Sequence, residues 1–283
     1  MFGILVIDKP QGITSHDVVA RTRKSLGTKK IGHAGTLDPL ATGVLVLAIG
    51  PATRFLQYLS LEPKTYAGTA LFGIETDTQD SEGKVLNTSP IPSNFNDLLK
   101  AFLPNFKGDI EQIPPMFSAV KKNGKPLYKY AHQGKEIERK PRKTTIFFFE
   151  ILKIDPPLIE FSVKCSAGTY IRTLLHDLGQ KIGCGAHLTQ LRRTAVGDFT
   201  IDQAITLDEV SQGKIIPLSK CLTHLPFYRC SASEIKSTSQ GQPLINNQNF
   251  SNPLVVGLNE NEQVIAMLRA ESGKLCPICV VPQ

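Results

Sequence analysis

A chain of 283 residues, 41% of them apolar, can bury the core of one large domain or of a large and a small one. No apolar run reaches the roughly eighteen residues of a membrane span, and "MFGILVIDKP" has neither the basic leader nor the cleavage site of a signal peptide, so a cytoplasmic protein with no membrane partner is expected. The formal net charge is +7, and the stretch 121–143 alone carries nine basic and two acidic residues, so the excess is concentrated there rather than spread as a uniform cationic coat.

Taken in chain order, "GILVID" reads as a buried strand ended by "KPQG". Thr14 and Asp17 make a capping pair for a helix over about 15–26, with Gly27 as its stop. A glycine-rich loop, "GHAGTLDPLATG", leads into the buried strand "GVLVLAIG". In "KTYAGTALFG" Tyr66, Gly68, Ala70 and Phe72 share one strand face. The turn "TDTQDSEGK" lacks the acid spacing and downstream glutamate of a calcium loop. A Pro-bounded helix is expected near 92–103, and "TTIFFFEILKI" and "LIEFSVKCS" read as strands paired through "DPP". In "GTYIRTLLHDLGQKIG" the residues Ile171, Leu174, Leu175, Leu178 and Ile182 form a helical stripe, with Thr169 as cap and Gly183 as stop. Beyond about 226, "GQPLI", "NPLVVGL", "QVIAMLRA" and "LCPICVV" read as short strands of a small β domain. Strands and helices mix without βαβ alternation, so the fold class is α+β.

The basic stretch interleaves its cations with Tyr128, Tyr130 and His132, which suits nucleic acid as well as it suits a solvated loop. Asp38 precedes Pro39 and reads either as a helix N-cap with proline at the first helical position or as a carboxylate projected from a loop. Arg172 falls in the first turn of its helix, off the apolar stripe, where the dipole disfavours a cation; it is either a surface arginine or one held by an acid. Tyr66 reads as a packed strand aromatic by composition, and His33 as a loop hydrogen-bonder. The six cysteines are expected as reduced thiols, and Cys276 and Cys279 lack the second close pair that a structural zinc site needs, so no metal is expected.

The ordered series "ILVIDKPQGITSHDVV", "KKIGHAGTLDPLATGVL", "KTYAG", "GIETDTQDSEG", "IEQIPPMFSAVKKNGKPLYKYAHQG", "CSAGTYIRTLLHDLG" and "GAHLTQLRR" resembles the TruB-type tRNA pseudouridine synthases over residues 4 to about 193. The resemblance implies a catalytic domain over 1–222 around a mixed, largely antiparallel sheet, with a basic RNA-binding insertion at about 107–145, and a PUA-like domain over 223–283. That tail holds four basic residues and four glutamates, so its part in RNA binding is not carried by charge. The implied activity isomerises uridine 55 of the tRNA T-loop by base flipping, cleavage of the N-glycosidic bond and rejoining through C5. It implies Asp38 as the catalytic carboxylate, Tyr66 as the residue that stacks on the base and helps remove the C5 proton, and Arg172 as the partner of the aspartate. The implied substrate-binding set is His33, Asp80, Tyr170, Lys9, Lys121, Lys122, Lys125, Tyr128 and Arg142. His33 would fill the vacated place in the RNA stack, and Asp80 would join the charge network. The chemistry is redox-neutral, so no cofactor is expected, nor any obligatory protein partner, and a monomer is expected. The rival readings are a guide-dependent or ribosomal-RNA pseudouridine synthase and a non-catalytic RNA-binding or RNA-folding protein.

Overall fold

Runs of apolar and β-branched letters become strands here, and capped amphipathic runs become helices, in an irregular order. The computed structural model describes residues 2–282. Its first half runs β1 (Gly3–Lys9), α1 (Ser15–Leu26), β2 (Ile31–Ala34), β3 (Thr42–Ile49), β4 (Lys64–Phe72), β5 (Ile74–Thr76), β6 (Val85–Thr88), α2 (Phe95–Phe102), β7 (Gly108–Gln112), β8 (Lys121–Lys122), β9 (Lys125–Pro126) and α3 (Leu127–Ala131). It continues through β10 (Arg142–Asp155), β11 (Leu158–Cys165), α4 (Ile171–Ile182), β12 (Ala186–Val196), β13 (Phe199–Thr200), α5 (Leu218–Cys221), β14 (Phe227–Arg229), α6 (Ala232–Ser239), β15 (Leu244–Ile245), β16 (Leu254–Leu258), β17 (Val264–Glu271) and β18 (Lys274–Val280). The chain divides into two compact units: one takes the chain before Leu40, Gly43–Leu61 and everything from Asp198 on, and the other takes Leu40–Thr42 and Glu62–Gly197.

In the first unit β3 pairs antiparallel with both β1 and β2, so its seven residues from Gly43 to Ile49 are all buried. Helix α1 lays Val18 and Val19 against Leu5, Ile7, Leu45 and Leu47. Its N-terminus is the expected capping box: Thr14 Oγ1 accepts from the Asp17 N–H at 3.1 Å, and the Asp17 carboxylate accepts from the Thr14 N–H at 2.8 Å. Gly27 ends it at φ 61°, a left-handed value that costs glycine little. The later part of the chain returns to β1, where the Ile205 and Ile216 backbones bond to Val6, Asp8 and Ile4. A five-stranded sheet, ordered β14-β16-β17-β18-β15, closes over Tyr228, Val255, Ala266, Leu268 and Leu275.

The second unit is built on an antiparallel sheet ordered β12-β4-β11-β10-β7. The β4 face expected from alternation is the buried one, with Tyr66, Ala70 and Phe72 all in the core. Helix α4 buries Ile171, Leu174, Leu175, Leu178 and Ile182, and Gly179 lets it approach β12 so closely that a Cβ would lie 2.4 Å from the Ala186 nitrogen. Its stop is Gly183 as expected, but its N-cap is Tyr170 rather than Thr169. The Thr169 hydroxyl is drawn back to the Ser166 carbonyl at 2.9 Å, so no side chain caps this helix. The strands β2, β5, β6, β7, β8, β9, β12, β13 and β14 and the helices α3, α5 and α6 have no counterpart in the sequence reading, β2 taking the start of the stretch read as a glycine-rich loop; β12 escapes it because its polar letters show no clean alternation.

Candidate active site

No helix starts after Asp38: the chain bends at Pro39 and Leu40 and enters β3. The cap alternative therefore falls, and Asp38 is a half-buried loop residue. The loop is fixed on both sides of it. Ser15, buried in the first turn of α1, donates its hydroxyl to the Leu37 carbonyl at 3.1 Å and accepts from the Leu37 N–H at 2.9 Å. On the other side the Pro39 carbonyl accepts from the Gly12 N–H at 2.8 Å and from Lys9 Nζ at 3.3 Å. Proline removes a donor and restricts the residue before it, and these bonds fix what freedom remains.

Lys9, expected among the substrate-binding residues, has no exposed surface, and its ammonium also donates to the Pro10 carbonyl at 2.9 Å. Its place in this structure is inside the fold as a clamp on the loop, because a buried ammonium must spend its donors on acceptors within the protein. His33 lies at the end of β2, half-buried, with the His16 ring edge-on to it at 5.4 Å between centroids.

In the second unit Arg172 is 4% exposed, which removes the surface alternative. It stands 3.5 Å from Asp80 Oδ2 and donates to the Thr78 carbonyl at 2.9 Å and the Phe117 carbonyl at 2.8 Å. The planar guanidinium suits this division of labour, with separate N–H groups serving a carboxylate and two carbonyls. Asp80 is equally buried, and its other oxygen accepts from the Thr78 hydroxyl at 2.5 Å and the Glu82 N–H at 3.1 Å. An arginine in the first turn of a helix, where the dipole opposes it, is thus held by an acid on the β5–β6 turn. Tyr66 lies buried on β4 beside Val163 of β11 and Arg193 of β12. The Tyr170 backbone is held by Gln112 of β7, which accepts from its N–H at 3.0 Å and donates to its carbonyl at 3.2 Å.

The basic stretch forms the β8–β9 hairpin and the short helix α3, with Leu127 as its buried anchor. Lys121, Lys122 and Tyr128 are exposed, Lys125 is half-buried with its ammonium 4.6 Å from the Tyr130 ring, and Arg142 is exposed at the start of β10. Among the described residues no cluster of three or more acidic, histidine or cysteine side chains is arranged to hold a metal ion. Four contributors have no local signature in sequence: Ser15 follows the cap pair's Thr14, Thr78 falls in a turn, Gln112 lies in a strand the sequence reading lacks, and Phe117 acts through its carbonyl.

The TruB family pseudouridylate synthase N-terminal domain matches residues 23–171, and the tRNA pseudouridylate synthase B C-terminal domain matches residues 172–218. The tRNA pseudouridine synthase B of Syntrophotalea carbinolica is 47% identical over 86% of this chain and 82% of its own length. That of Opitutus terrae is 48% identical over 82% of this chain and 95% of its own. Among solved structures, a chain from a Cbf5-Nop10-Gar1 complex superposes with a TM-score of 0.72 at 29% identity, covering 99% of this chain and 84% of that one. These matches, with the mixed sheet flanked by helices, define an α+β isomerase of the pseudouridine synthase class. Within that class the chain belongs to the TruB family of pseudouridylate synthases. No helix among the described residues is long and apolar enough to cross a membrane.

Proposed function

We propose that this chain converts uridine 55 in the T-loop of tRNA to pseudouridine, acting as a stand-alone monomer without a cofactor. The observation that carries the reading is Asp38, placed in a loop that caps no helix and is tethered at Leu37 and Pro39. A carboxylate that does covalent or electrostatic work at a sugar carbon must be held still before the substrate arrives, and such tethers pre-pay that ordering. Asp38 opens the N-glycosidic bond of a flipped uridine, the uracil turns, and C5 joins the ribose. Tyr66 then takes the C5 proton, and Arg172 keeps the catalytic carboxylate charged and oriented while Asp80 holds Arg172. His33 fills the gap left in the RNA stack, which offsets part of the few kcal/mol that extruding a base costs.

Lys121, Lys122, Lys125, Tyr128 and Arg142 grip the T-arm through phosphates and shape. Tyr170 lines the pocket. The division into a catalytic domain over 1–222 and a PUA-like domain over 223–283 belongs to the same reading, as does a cytoplasmic location. The likeness to a Cbf5-Nop10-Gar1 chain favours one second reading, a synthase that works only within a larger assembly. Mapping pseudouridine along a full tRNA transcript treated with the purified chain alone separates the two. Conversion at the T-loop uridine alone is expected; none without added protein or guide RNA would favour the assembly.

A further inference from the structure

The segment "LTQLRRT" of β12 has no assigned task, yet it places a wholly buried cation on a strand of the second unit. Arg193 has no exposed surface and sits directly opposite Tyr66 across the antiparallel β4–β12 pair. Directly opposed residues on an antiparallel pair point to one side of the sheet with Cβ atoms about 5 Å apart. Lys64 lies two residues before Tyr66 on β4, and so on the same face, opposite Cys165 on β11 and Val196 on β12. The tyrosine's strand face therefore carries a guanidinium at its side and an ammonium along its own strand. Burial first and the Arg193 charge second push the Lys64 ammonium below the ordinary lysine value, with Cys165 and Glu62 pulling the other way. Burial raises the Cys165 thiol to about 11, against the lowering effects of the Thr169 hydrogen bond and Lys64, so it stays a neutral neighbour.

A phenol with an ordinary pKa near 10 is a poor proton acceptor at neutral pH, and nearby positive charge is what favours its anion. Resting on the assignment of Tyr66 as the base at C5, we infer that Lys64 is a positioning residue which, with Arg193, favours the phenolate of Tyr66 for the last step of the isomerisation. In that step the C5–H bond of the rejoined base breaks and the proton passes to the phenolate oxygen. The bond's electron pair restores the C5–C6 double bond, the C6–N1 π pair of the intermediate moves onto N1, and N1, freed from the ribose, takes up a proton from solvent, so no oxidant or reductant is needed. The ionisable groups at this face include Lys64, Arg193 and Tyr66 itself, with Glu62 on the approach to β4 and the neutral Cys165 on β11.

The test is the pH–rate profile and the C5-deuterium isotope effect of single-turnover isomerisation on a T-arm hairpin. Wild type is compared with Lys64→Met, Lys64→Arg, Tyr66→Phe and the Lys64→Met/Tyr66→Phe pair. Lys64→Met removes the charge at similar length. It is expected to slow the reaction at neutral pH about tenfold for each unit by which the phenol pKa rises, with recovery toward high pH and a larger isotope effect. Lys64→Arg keeps the charge and is expected to restore the wild-type profile, while adding Lys64→Met to Tyr66→Phe should change nothing further. A loss in Lys64→Met that is equal at every pH, with the isotope effect unchanged and Tyr66→Phe inactive, would overturn the role of Lys64 alone. A Tyr66→Phe enzyme that still releases the C5 proton at the wild-type rate would overturn the assignment of Tyr66 as base, and the role of Lys64 with it.

Discussion

Between Leu37, whose backbone both donates to and accepts from Ser15, and Pro39, whose carbonyl takes bonds from Gly12 and Lys9, Asp38 has little freedom. The sequence marks the position through Pro39 but leaves cap and loop open, because what decides between them is a hydroxyl and an ammonium that reach it from 22 and 30 residues away. Arg172 was more legible. Its place in the first helical turn, off the apolar stripe, leaves a surface arginine and one held by an acid as alternatives, and Asp80 at 3.5 Å decides for the second, although two of its bonds go to carbonyls that no side-chain pattern reveals. Lys9 has no exposed surface and its ammonium donates to the Pro10 and Pro39 carbonyls, contacts that no local pattern in the sequence reveals. Because both members of the Arg172–Asp80 pair are about 5% exposed, removing one strands the other. Arg172→Met is expected to cost about 3–5 kcal/mol in urea unfolding, and the Arg172→Met/Asp80→Asn pair less than the two single changes together.

At the scale of elements, capped and periodic segments are the legible ones. Helix α1 carries its own start and stop in Thr14, Asp17 and Gly27, and α4 its stripe and its Gly183. The cap of α4 was misplaced by one residue because the Thr169 hydroxyl bonds backward to Ser166 rather than forward into the helix. Strand β12 is invisible to alternation because it runs through two register shifts and buries Arg193. The strand that carries Tyr66 also has a tight point at Gly68, where a Cβ would stand 2.5 Å from the Gln190 carbonyl and 2.8 Å from the Phe161 ring. Gly68→Ala must push β4 away from β12 or displace that ring, so it is expected to destabilise the protein by about 1–3 kcal/mol. Thermal unfolding would register this as a lower midpoint, and an unchanged midpoint would mean that the strands separate at no cost.

At the scale of the whole molecule, charge is local. The excess of the chain equals that of residues 121–143, which fold as an exposed hairpin and a short helix anchored by Leu127, while the five-stranded sheet beyond Phe227 belongs to a segment of balanced charge. Phosphate binding should therefore reside in the insertion. Replacing Lys121, Lys122 and Lys125 with Gln is expected to weaken T-arm binding and to reduce the log–log salt slope by about 2–3, since each phosphate contact contributes ~0.7–0.9. A slope that did not change would move the RNA grip elsewhere. The most direct test of the account is tritium release from a T-arm hairpin labelled at uridine C5, measured for wild type and Asp38→Asn alongside hairpin affinity and thermal stability. The account predicts release by wild type at the T-loop uridine, none by Asp38→Asn, and nearly equal affinity and melting for the two. Release by Asp38→Asn at the wild-type rate, or a mutant that loses fold and binding together with activity, would contradict Asp38 as the reacting group.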